Sequence, residues 1–402
     1  MTHHPEWRVC SITFNVAMKA ANEQAVDTML SHIDSSKTDI LAVGMQEVAH
    51  VETLGGAGWT WQRLITDWVT MRSPMVLLTK TYQATNQILV FLRKSLILQV
   101  GRIDYRFNRN TLGGLTGHKG SIGLKIGFRS QASLVFVVSH FVHDVLAYDR
   151  RIAQYHSNKI CTFPEDDTVK GVFWLGDLNF RVELDPATAL AKIHCDNLKD
   201  MHENTEQLRQ AMIAKAAFDD FTEAPINFKP TYRLKMGTAD YDLKRTPSWC
   251  DRILYKGETV KAVDYDSLAD VLVSDHLPVM SNHTVQVDKV VQLECDAIFE
   301  QMPNWNSMVP LVARFQLKNN FWSQGGSYLD WIGLFPSEIL DCKTAVRWIW
   351  VATCYEQLHE GQKYLVCEFV NVAAGKYRLG YYSNYRNCLV GLSKSFEVQN
   401  AN

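Results

Sequence analysis

The 402-residue chain carries almost no net charge and contains no long hydrophobic run. Its 41 lysine and arginine residues nearly balance 43 acidic residues, for a formal net charge of -2. Binding of a polyanion through overall basicity is therefore disfavoured, and any anionic ligand must be held by local clusters of cations. Charged residues interrupt the apolar stretches well before the roughly 18 residues that a membrane-spanning helix needs.

Paired cysteines are also lacking. The nine cysteines are odd in number, scattered, and without the paired spacing of a zinc site, so we predict reduced thiols. None has an arginine six positions later, the spacing required by a phosphatase that forms a phosphocysteine. The N-terminal residues do not resemble a signal peptide, and the C-terminal residues offer no cysteine for prenylation. We therefore expect a cytoplasmic protein with peripheral recruitment to membranes.

The length exceeds what one hydrophobic core usually organises, so two domains are expected. The chain is organised around Val172–Arg181, which reads VFWLGDLNFR. A short apolar run that ends at glycine is typical of a strand covered on both faces, and Asp177 and Asn179 follow it. By itself the segment is equally consistent with a strand followed by an ordinary polar turn.

Other polar residues occupy the same kind of position. Asn15, Glu47 and His140 each come where an apolar strand is predicted to end. In layered α/β folds, ligands bind beyond the ends of the central strands, so these residues indicate one site together with Asp177. Considered singly, Glu47 is more simply a solvated carboxylate, and a lone histidine at a strand end is usually structural.

Three further stretches carry cations or a carboxylate-histidine pair. Gly101–Gly120 is rich in arginine and glycine and ends in His118-Lys119-Gly120, a pattern that suits an anion but also suits a flexible hairpin. Phe228–Lys256 contains Tyr232-Arg233 and Lys244-Arg245 beside a predicted turn. Val271–Val279 is predicted as a strand that ends at Asp275-His276, where the histidine is titratable.

Taken in order, these motifs resemble the inositol polyphosphate 5-phosphatases, which belong to the deoxyribonuclease I-like phosphoesterases. The resemblance covers roughly residues 8 to 285 and rests on TFNVA, GMQEV, GGLTGHKG, VVSH, WLGDLNFR, PTYR, PSWCDRILYK and SDHLPV. It implies an α/β fold, a four-layered α/β sandwich, with a catalytic domain at residues 1–290. It also implies hydrolysis of a phosphoric monoester with Mg²⁺ as cofactor.

The resemblance assigns roles at the reacting centre. Glu47 and Asn15 match the magnesium ligand set, which suits a hard cation that prefers oxygen donors. Asp177 matches the residue that orients or deprotonates the attacking water, and Asn179 matches the amide that holds it. The remaining matches are phosphate-contacting histidines and their acidic partners: His140, His276, Asp251 and Asp275.

The same resemblance assigns Lys119, Tyr232, Arg233 and Arg245 to the pocket for a neighbouring 4-phosphate. The sequence departs from the family at three positions, where it has His118, Asp144 and Leu243. Leu243 removes a cation from this pocket unless the adjacent Lys244 replaces it. Substrate preference is therefore less secure than the type of reaction.

Residues 291–402 resemble the SKICH domain, through DWIGLF, Trp348, and GYYSN with the following VGLS. This implies an all-β, immunoglobulin-like sandwich that mediates membrane targeting or contacts with a protein partner. Short alternating runs separated by turns agree with such a fold. From physical grounds alone, its aromatic residues are more simply explained as core.

The leading hypothesis is a magnesium-dependent enzyme that removes the 5-phosphate of phosphoinositides or soluble inositol phosphates. One alternative is a nuclease or sphingomyelinase of the same superfamily. The PTYR and KRTPSWCDRILYK stretches favour an inositol-phosphate pocket, and near-neutral charge disfavours nucleic acid. The other alternative is a non-catalytic phosphoinositide-binding scaffold, which is disfavoured because every proposed metal or water-handling position has a competent side chain.

Overall fold

In the first two thirds of the chain, the described residues include twelve strands that form two mixed sheets. The computed structural model describes residues 6–49, 60–111, 116–287, 295–318 and 320–400. In chain order the strands are β1 (Glu6–Asn15), β2 (Ile40–Gln46), β3 (Met75–Gln83), β4 (Asn86–Arg93), β5 (Val100–Thr111), β6 (Thr116–Phe128), β7 (Ser133–His140), β8 (Val169–Asp177), β9 (Thr222–Glu223), β10 (Asp251–Lys256), β11 (Lys261–Ser267) and β12 (Val279–Gln286). The first sheet has the order β11-β12-β1-β2-β4-β3 and the second β5-β6-β7-β8-β10-β9.

The two sheets pack face to face through apolar side chains. At their closest approach Gly44 of β2 has no room for a side chain, since an added Cβ would lie 2.7 Å from Val138 Cγ2 and 2.9 Å from Leu175 Cδ1. The central strands β2 and β7 are buried along their whole length. This explains their unbroken apolar sequences, which are typical of strands covered on both faces.

Helices cover the outer faces of both sheets. In chain order those in this part of the chain are α1 (Glu23–Ser31), α2 (Trp61–Arg72), α3 (Tyr148–Asn158), α4 (Pro186–His194), α5 (Leu198–Thr205) and α6 (Gln207–Ile213). Helices α1 and α2 pack on the first sheet, and α3 and α6 pack on the second. Asn22 caps α1 by accepting a hydrogen bond from Ala25 N at 2.8 Å. The predicted four-layered α/β sandwich is confirmed.

Among its described residues, the C-terminal part is all-β apart from one short α-helix. It contains β13 (Ala297–Phe299), β14 (Trp305–Asn306), β15 (Leu311–Leu317), α7 (Phe321–Gly325), β16 (Trp331–Pro336), β17 (Arg347–Trp350), β18 (Tyr355–His359), β19 (Gln362–Phe369), β20 (Gly375–Ser383), β21 (Cys388–Leu392) and β22 (Phe396–Gln399). One sheet has the order β13-β15-β19-β18, and the other β14-β22-β20-β16-β17, with β21 paired to β20. The predicted β-sandwich is confirmed.

Backbone hydrogen bonds join this part to the α/β sandwich. Leu77 of the edge strand β3 donates to Leu340 O at 2.9 Å and accepts from Cys342 N at 3.0 Å. Ile103 N donates to Arg386 O at 2.9 Å. We call these contacts the interdomain seam. Because they pair an otherwise open sheet edge, they fix the two parts relative to one another.

The structure corrects two predictions about local structure. Val271–Val279 does not form a strand, because β12 begins only at Val279, so Asp275 and His276 precede a strand instead of ending one. Lys119 lies within β6, and residues 112–115 of the predicted glycine-rich loop are outside the described residues. The nine cysteines are free, as predicted. None of the described helices has the length and apolar character needed to cross a bilayer.

Candidate active site

Sheet pairing brings the predicted strand-end residues to one edge of the sandwich. Strands β1 and β2 run parallel, so Asn15 is level with Gln46, the residue before Glu47. Strands β7 and β8 are also parallel, and His140 is level with Asp177. Asp251, at the start of the antiparallel strand β10, is level with Asp177 on its other side. The register thus places two carboxylates and an imidazole on three adjacent strands.

Asp177 is the centre of this group and is almost completely buried. Its Oδ2 accepts a hydrogen bond from Asn15 Nδ2 at 2.9 Å, and its Oδ1 accepts one from Asn179 N at 3.1 Å. Burial alone would raise its pKa, but His140, which lies 3.3 Å away, and the charges of His276 and Lys119 hold the pKa well below the usual range. Asp177 is therefore a carboxylate at neutral pH.

Lys119 and His140 form a buried polar pair beside Asp177. Lys119 Nζ donates a hydrogen bond to His140 Nε2. Burial lowers the pKa of His140, and the charge of Lys119 lowers it further. The imidazole is consequently neutral at neutral pH. Lys119 thus lies at the reacting centre as well as beside the pocket to which the resemblance assigned it.

His276 differs from His140 in its protonation state. Its Nδ1 donates to Asp251 Oδ2 at 2.9 Å, and Thr231 Oγ1 donates to the same oxygen at 2.7 Å. Burial would lower the pKa of His276, but the Asp251 carboxylate outweighs it and raises the pKa to about 9. The site therefore contains one neutral and one protonated imidazole, which gives the two histidines different chemistry.

Two residues at this edge have a left-handed backbone. Glu47 has φ 53° and Asn179 has φ 57°, a conformation that is uncommon outside glycine and that gathers at functional sites. Glu47 Oε1 lies 3.7 Å from His140 Nε2, and the Glu47 side chain is 37% exposed, against 2% for Asp177. Glu47 is thus the carboxylate that faces the opening of the site.

Acidic and amide oxygens suitable for a cation are present. Ligand atoms of Asp177, Asp251 and His276 lie within 4.8 Å of one another, close enough for one metal ion. Because His276 is protonated and bonded to Asp251, these two residues are poor ligands for a hard cation. Glu47 and the amide of Asn15, the predicted ligands, supply oxygen donors of the kind that Mg²⁺ prefers.

Cations line two cavities next to this centre. The larger, of about 540 Å³, has Lys119, Arg245 and Arg150 in its lining, and the smaller, of about 190 Å³, has Arg181, Lys244 and Arg245. Arg245 belongs to both. A substrate with more than one phosphate would meet a cation in each direction from the reacting centre.

Arg233 and Asp275 pair with each other instead of contributing separately. Arg233 Nε lies 3.4 Å from Asp275 Oδ2 and 3.4 Å from Asp242 Oδ2. The guanidinium charge is thus largely compensated, so Arg233 is a weaker anion-binding group than Arg245. Tyr232 packs its ring 4.4 Å from the ring of His276 and holds that imidazole in place.

The sequence argument missed Arg181 and Thr231. Arg181 is buried, and its guanidinium lies 4.8 Å from the centre of the Tyr232 ring and donates to Asn179 Oδ1. Among the described residues its Nε and Nη1 have no hydrogen-bond partner. Both residues belong to motifs already singled out, GDLNFR and PTYR. Their place within these motifs could have indicated a role at the site. The charge of an arginine alone, however, does not distinguish one that lines a site from one that supports the fold.

Arg252, in the same motif as Asp251, is such a structural arginine. It is fully buried, with Nη1 3.0 Å from Glu206 Oε1 and Nε 2.7 Å from Glu223 Oε1. Removing one partner of such a buried ion pair strongly destabilises a protein, because the remaining charge is left buried without compensation. Arg252 therefore supports the start of β10, where Asp251 lies.

Comparison with known proteins agrees with the class that this fold and site define, a deoxyribonuclease I-like α/β sandwich with a buried carboxylate-histidine centre. Residues 12–282 match endonuclease/exonuclease/phosphatase family 2, and the chain belongs to this family. Residues 297–398 match the SKICH domain. The predicted family and C-terminal domain are confirmed.

The chain is homologous to inositol polyphosphate 5-phosphatases over nearly its full length. It is 28% identical to phosphatidylinositol 4,5-bisphosphate 5-phosphatase A of Rattus norvegicus over 98% of this chain and 42% of the relative. The chain thus spans less than half the length of that protein. The inositol polyphosphate 5-phosphatase domain of SPsynaptojanin, solved with inositol (1,4)-bisphosphate and calcium, has the same fold, with a TM-score of 0.60, 23% identity, and coverage of 70% and 85% of the two chains.

A relative with a different name shows that the fold does not settle function. Nitrophorin Cim l NP of Cimex lectularius is 39% identical over 142 residues, which are 35% of this chain and 44% of that protein. Its solved ferrous NO complex has a TM-score of 0.59, with 24% identity over 70% of this chain and 99% of that chain. Function must therefore be argued from the site residues.

Proposed function

We propose that the chain is a magnesium-dependent phosphatase that removes the 5-phosphate from phosphoinositides such as phosphatidylinositol 4,5-bisphosphate and 3,4,5-trisphosphate. One observation carries the proposal: a buried, ionised Asp177 is held between Asn15 and the neutral His140, with a protonated His276 close by. This set combines a carboxylate that can orient water with cations that can stabilise the charge of a phosphoryl group.

Asp177 orients the attacking water. Its low pKa makes it a weak proton acceptor, so its contribution is mainly to fix the water in line with the phosphorus. Asn179 would hold this carboxylate in place, because its main-chain N–H donates to Asp177 Oδ1, while its side-chain amide donates to Phe141 O at 3.1 Å and accepts from Arg181. Water attacks directly, without a covalent intermediate, in keeping with the absence of a phosphocysteine motif.

Lys119 and His276 stabilise the charge of the phosphoryl group. The Asp251 carboxylate keeps His276 protonated, so the imidazolium can donate to a phosphoryl or leaving oxygen. The neutral His140 accepts a hydrogen bond from Lys119 and so orients that ammonium group without adding charge. Glu47, assisted by Asn15, would hold Mg²⁺, which supplies further positive charge toward the phosphoryl oxygens when it is bound.

The cation-lined cavities would select polyphosphorylated substrates. Arg245, Lys244 and the buried Arg181 surround the smaller cavity and offer charge-assisted hydrogen bonds to a neighbouring 4-phosphate. Tyr232 and the largely compensated Arg233, which the resemblance assigns to the same phosphate, lie outside the lining of this cavity. Such contacts with a group that is not cleaved serve selection and positioning.

The chain organisation accords with this proposal. Residues 1–290 form the catalytic domain and residues 291–402 a SKICH-like domain, which brings the enzyme to a membrane surface or to a protein partner. The substrate is a phosphoinositide lipid or a soluble inositol phosphate. The enzyme acts in the cytoplasm and is recruited to membranes peripherally.

One assay tests the proposal against its alternatives. Phosphate release is measured for a panel of lipid and soluble inositol phosphates, and for a nucleic-acid and a sphingomyelin substrate, with and without Mg²⁺. Magnesium-dependent release from 5-phosphorylated inositides supports the proposal, provided that substrates lacking a 5-phosphate are not cleaved. Binding of these lipids without turnover would indicate a scaffold, and turnover of another substrate would indicate a different phosphoesterase.

A further inference from the structure

The turn between β3 and β4 contacts both the Glu47 and the Lys119 sides of the site. We call residues Gln83–Asn86 the β3-β4 turn. Both amide side chains at its ends are buried, with Asn86 0% and Gln83 5% exposed. Ala84 within it has φ 53°, a left-handed conformation that is unfavourable for an alanine. A turn of this kind persists only where its surroundings stabilise it.

One set of contacts reaches the start of β6, which carries Lys119. Asn86 Nδ2 donates to Gly117 O at 2.9 Å and to His118 O at 3.2 Å. Gln83 Nε2 donates to Asn108 O at 3.0 Å and to Gly117 O at 3.4 Å. Two side-chain amides thus hold the main chain immediately before Lys119.

Glycine is needed for this approach. A Cβ added at Gly117 would lie 2.5 Å from Gln83 Cγ. A Cβ added at Gly120 would lie 2.1 Å from Asn108 O and 2.8 Å from Gln83 Nε2. The glycines on either side of His118-Lys119 therefore serve the contact with the turn as well as any approach to an anion.

The other contact reaches the end of β2, which carries Glu47. Val48 N donates to Thr85 O at 2.9 Å. This bond fixes the residue that follows Glu47, whose own backbone is left-handed. The β3-β4 turn therefore links the main chain beside the proposed magnesium ligand to the main chain beside the proposed phosphate-binding lysine.

We infer that Gln83 and Asn86 are positioning residues, which set Lys119 against His140 and relative to Glu47 without touching the substrate. The inference rests on the proposed function. Small displacements of charged groups at a reacting centre cause large losses of rate, about 100-fold for 1 Å. Replacing either amide should therefore lower turnover more than a substitution elsewhere that causes an equal loss of stability.

The test uses two variants of the full chain, Asn86→Leu and Gln83→Met, which replace the amides with apolar side chains of similar shape. Val398→Ala, in the buried core of β22, serves as a control that lowers thermal stability at a distance from the site. Three quantities are compared at a temperature where every protein is folded: hydrogen exchange of residues 117–122, affinity for inorganic phosphate, and kcat and KM.

The expected result is faster exchange at residues 117–122, a roughly 5- to 10-fold weaker affinity for phosphate, and a 10- to 100-fold lower kcat with a smaller change in KM. The control should change none of these. Unchanged exchange in this segment, or phosphate affinity equal to the control, would overturn the inference. Exchange and phosphate binding need no turnover, so they decide the matter even if the wild-type chain hydrolyses no inositol phosphate and the proposed function fails.

Discussion

Asn15 Nδ2 donates a hydrogen bond to Asp177 Oδ2 at 2.9 Å and thereby joins residues that are 162 positions apart. Asn15 ends β1 in one sheet, and Asp177 ends β8 in the other. The bond therefore crosses the sandwich at the edge where the site lies. It fixes the carboxylate oxygen that also faces His140, so the geometry of the site depends on how the two sheets pack.

We predict that Asp177→Asn leaves the fold intact and lowers kcat about 10²- to 10⁴-fold. The amide preserves the shape of the side chain but removes the charge that orients water. Asp185→Asn is the matched control, because Asp185 caps α4 with its side-chain oxygen and an asparagine can do the same. Circular dichroism and kcat are measured for both. A folded Asp177→Asn variant with normal turnover would contradict the assignment.

Glu47→Gln should raise the Mg²⁺ concentration that gives half-maximal activity. Magnesium binds through few carboxylates and gives up its water reluctantly, so one lost anionic ligand weakens binding. The measurement is a magnesium titration of initial rates, with the exposed Glu23→Gln as control. Superimposable titrations for Glu47→Gln and the wild type would count against Glu47 as a ligand.

Arg245→Ala should lower kcat/KM for phosphatidylinositol 4,5-bisphosphate about 10- to 100-fold, equivalent to roughly 1.5 to 3 kcal/mol for a hydrogen bond to a charged group. Substrates without a 4-phosphate should change little. Lys244→Ala should show the same selective loss if Lys244 replaces the cation missing at Leu243. Lys235→Ala, in the same exposed loop, is the control. Equal losses on both substrate classes would refute the pocket assignment.

A chain of residues 1–290 should keep hydrolysis of short-chain soluble phosphoinositides, because all proposed catalytic residues precede that point. Its thermal midpoint should fall, since truncation exposes Leu77 and Ile103, whose backbone groups pair across the interdomain seam. Thermal melting and turnover at low temperature are compared with the full chain. A folded truncated chain without turnover would show that the C-terminal domain completes the active site.

Acid should destabilise the chain partly through His283. This residue is buried against the rings of Phe173 and Tyr255, and burial lowers its pKa to about 4. Between about pH 6.5 and 4 the unfolded chain binds this proton and the folded chain does not. The part of the unfolding free energy that depends on a neutral His283 is therefore fully present above pH 6.5 and is lost as the pH falls toward 4.

Denaturant unfolding between pH 7 and 4 checks this prediction. His283→Gln should flatten the pH dependence of the unfolding free energy by up to about 1.4 kcal/mol per pH unit in this range. His202, whose pKa burial lowers to about 3, titrates in both proteins and so does not affect the comparison. Identical slopes for the two proteins would show that His283 does not titrate in this way.

Local pattern predicted several elements well. The buried strand that ends at Asp177 and the helix that begins at Tyr148 are present. The same patterns placed Lys119 in a loop and Asp275 at the end of a strand, and both were wrong. Glycines that allow two main chains to approach look like loop glycines in sequence, and the apolar residues before Asp275 pack without pairing as a strand.

The sequence by itself determined the layered fold, the family and the strand-end position of Asn15, Glu47, His140 and Asp177. Hydrophobic periodicity predicted the strand ends, and the ordered motifs, through their resemblance to a known family, predicted the layered fold and the family. Only the tertiary structure decided that Arg233 is compensated by Asp275, that Arg181 lines a cavity with Lys244 and Arg245, and that a turn distant in sequence contacts the main chain on both sides of the site. These facts depend on sheet register and on side-chain packing between residues far apart in sequence, which no local pattern contains.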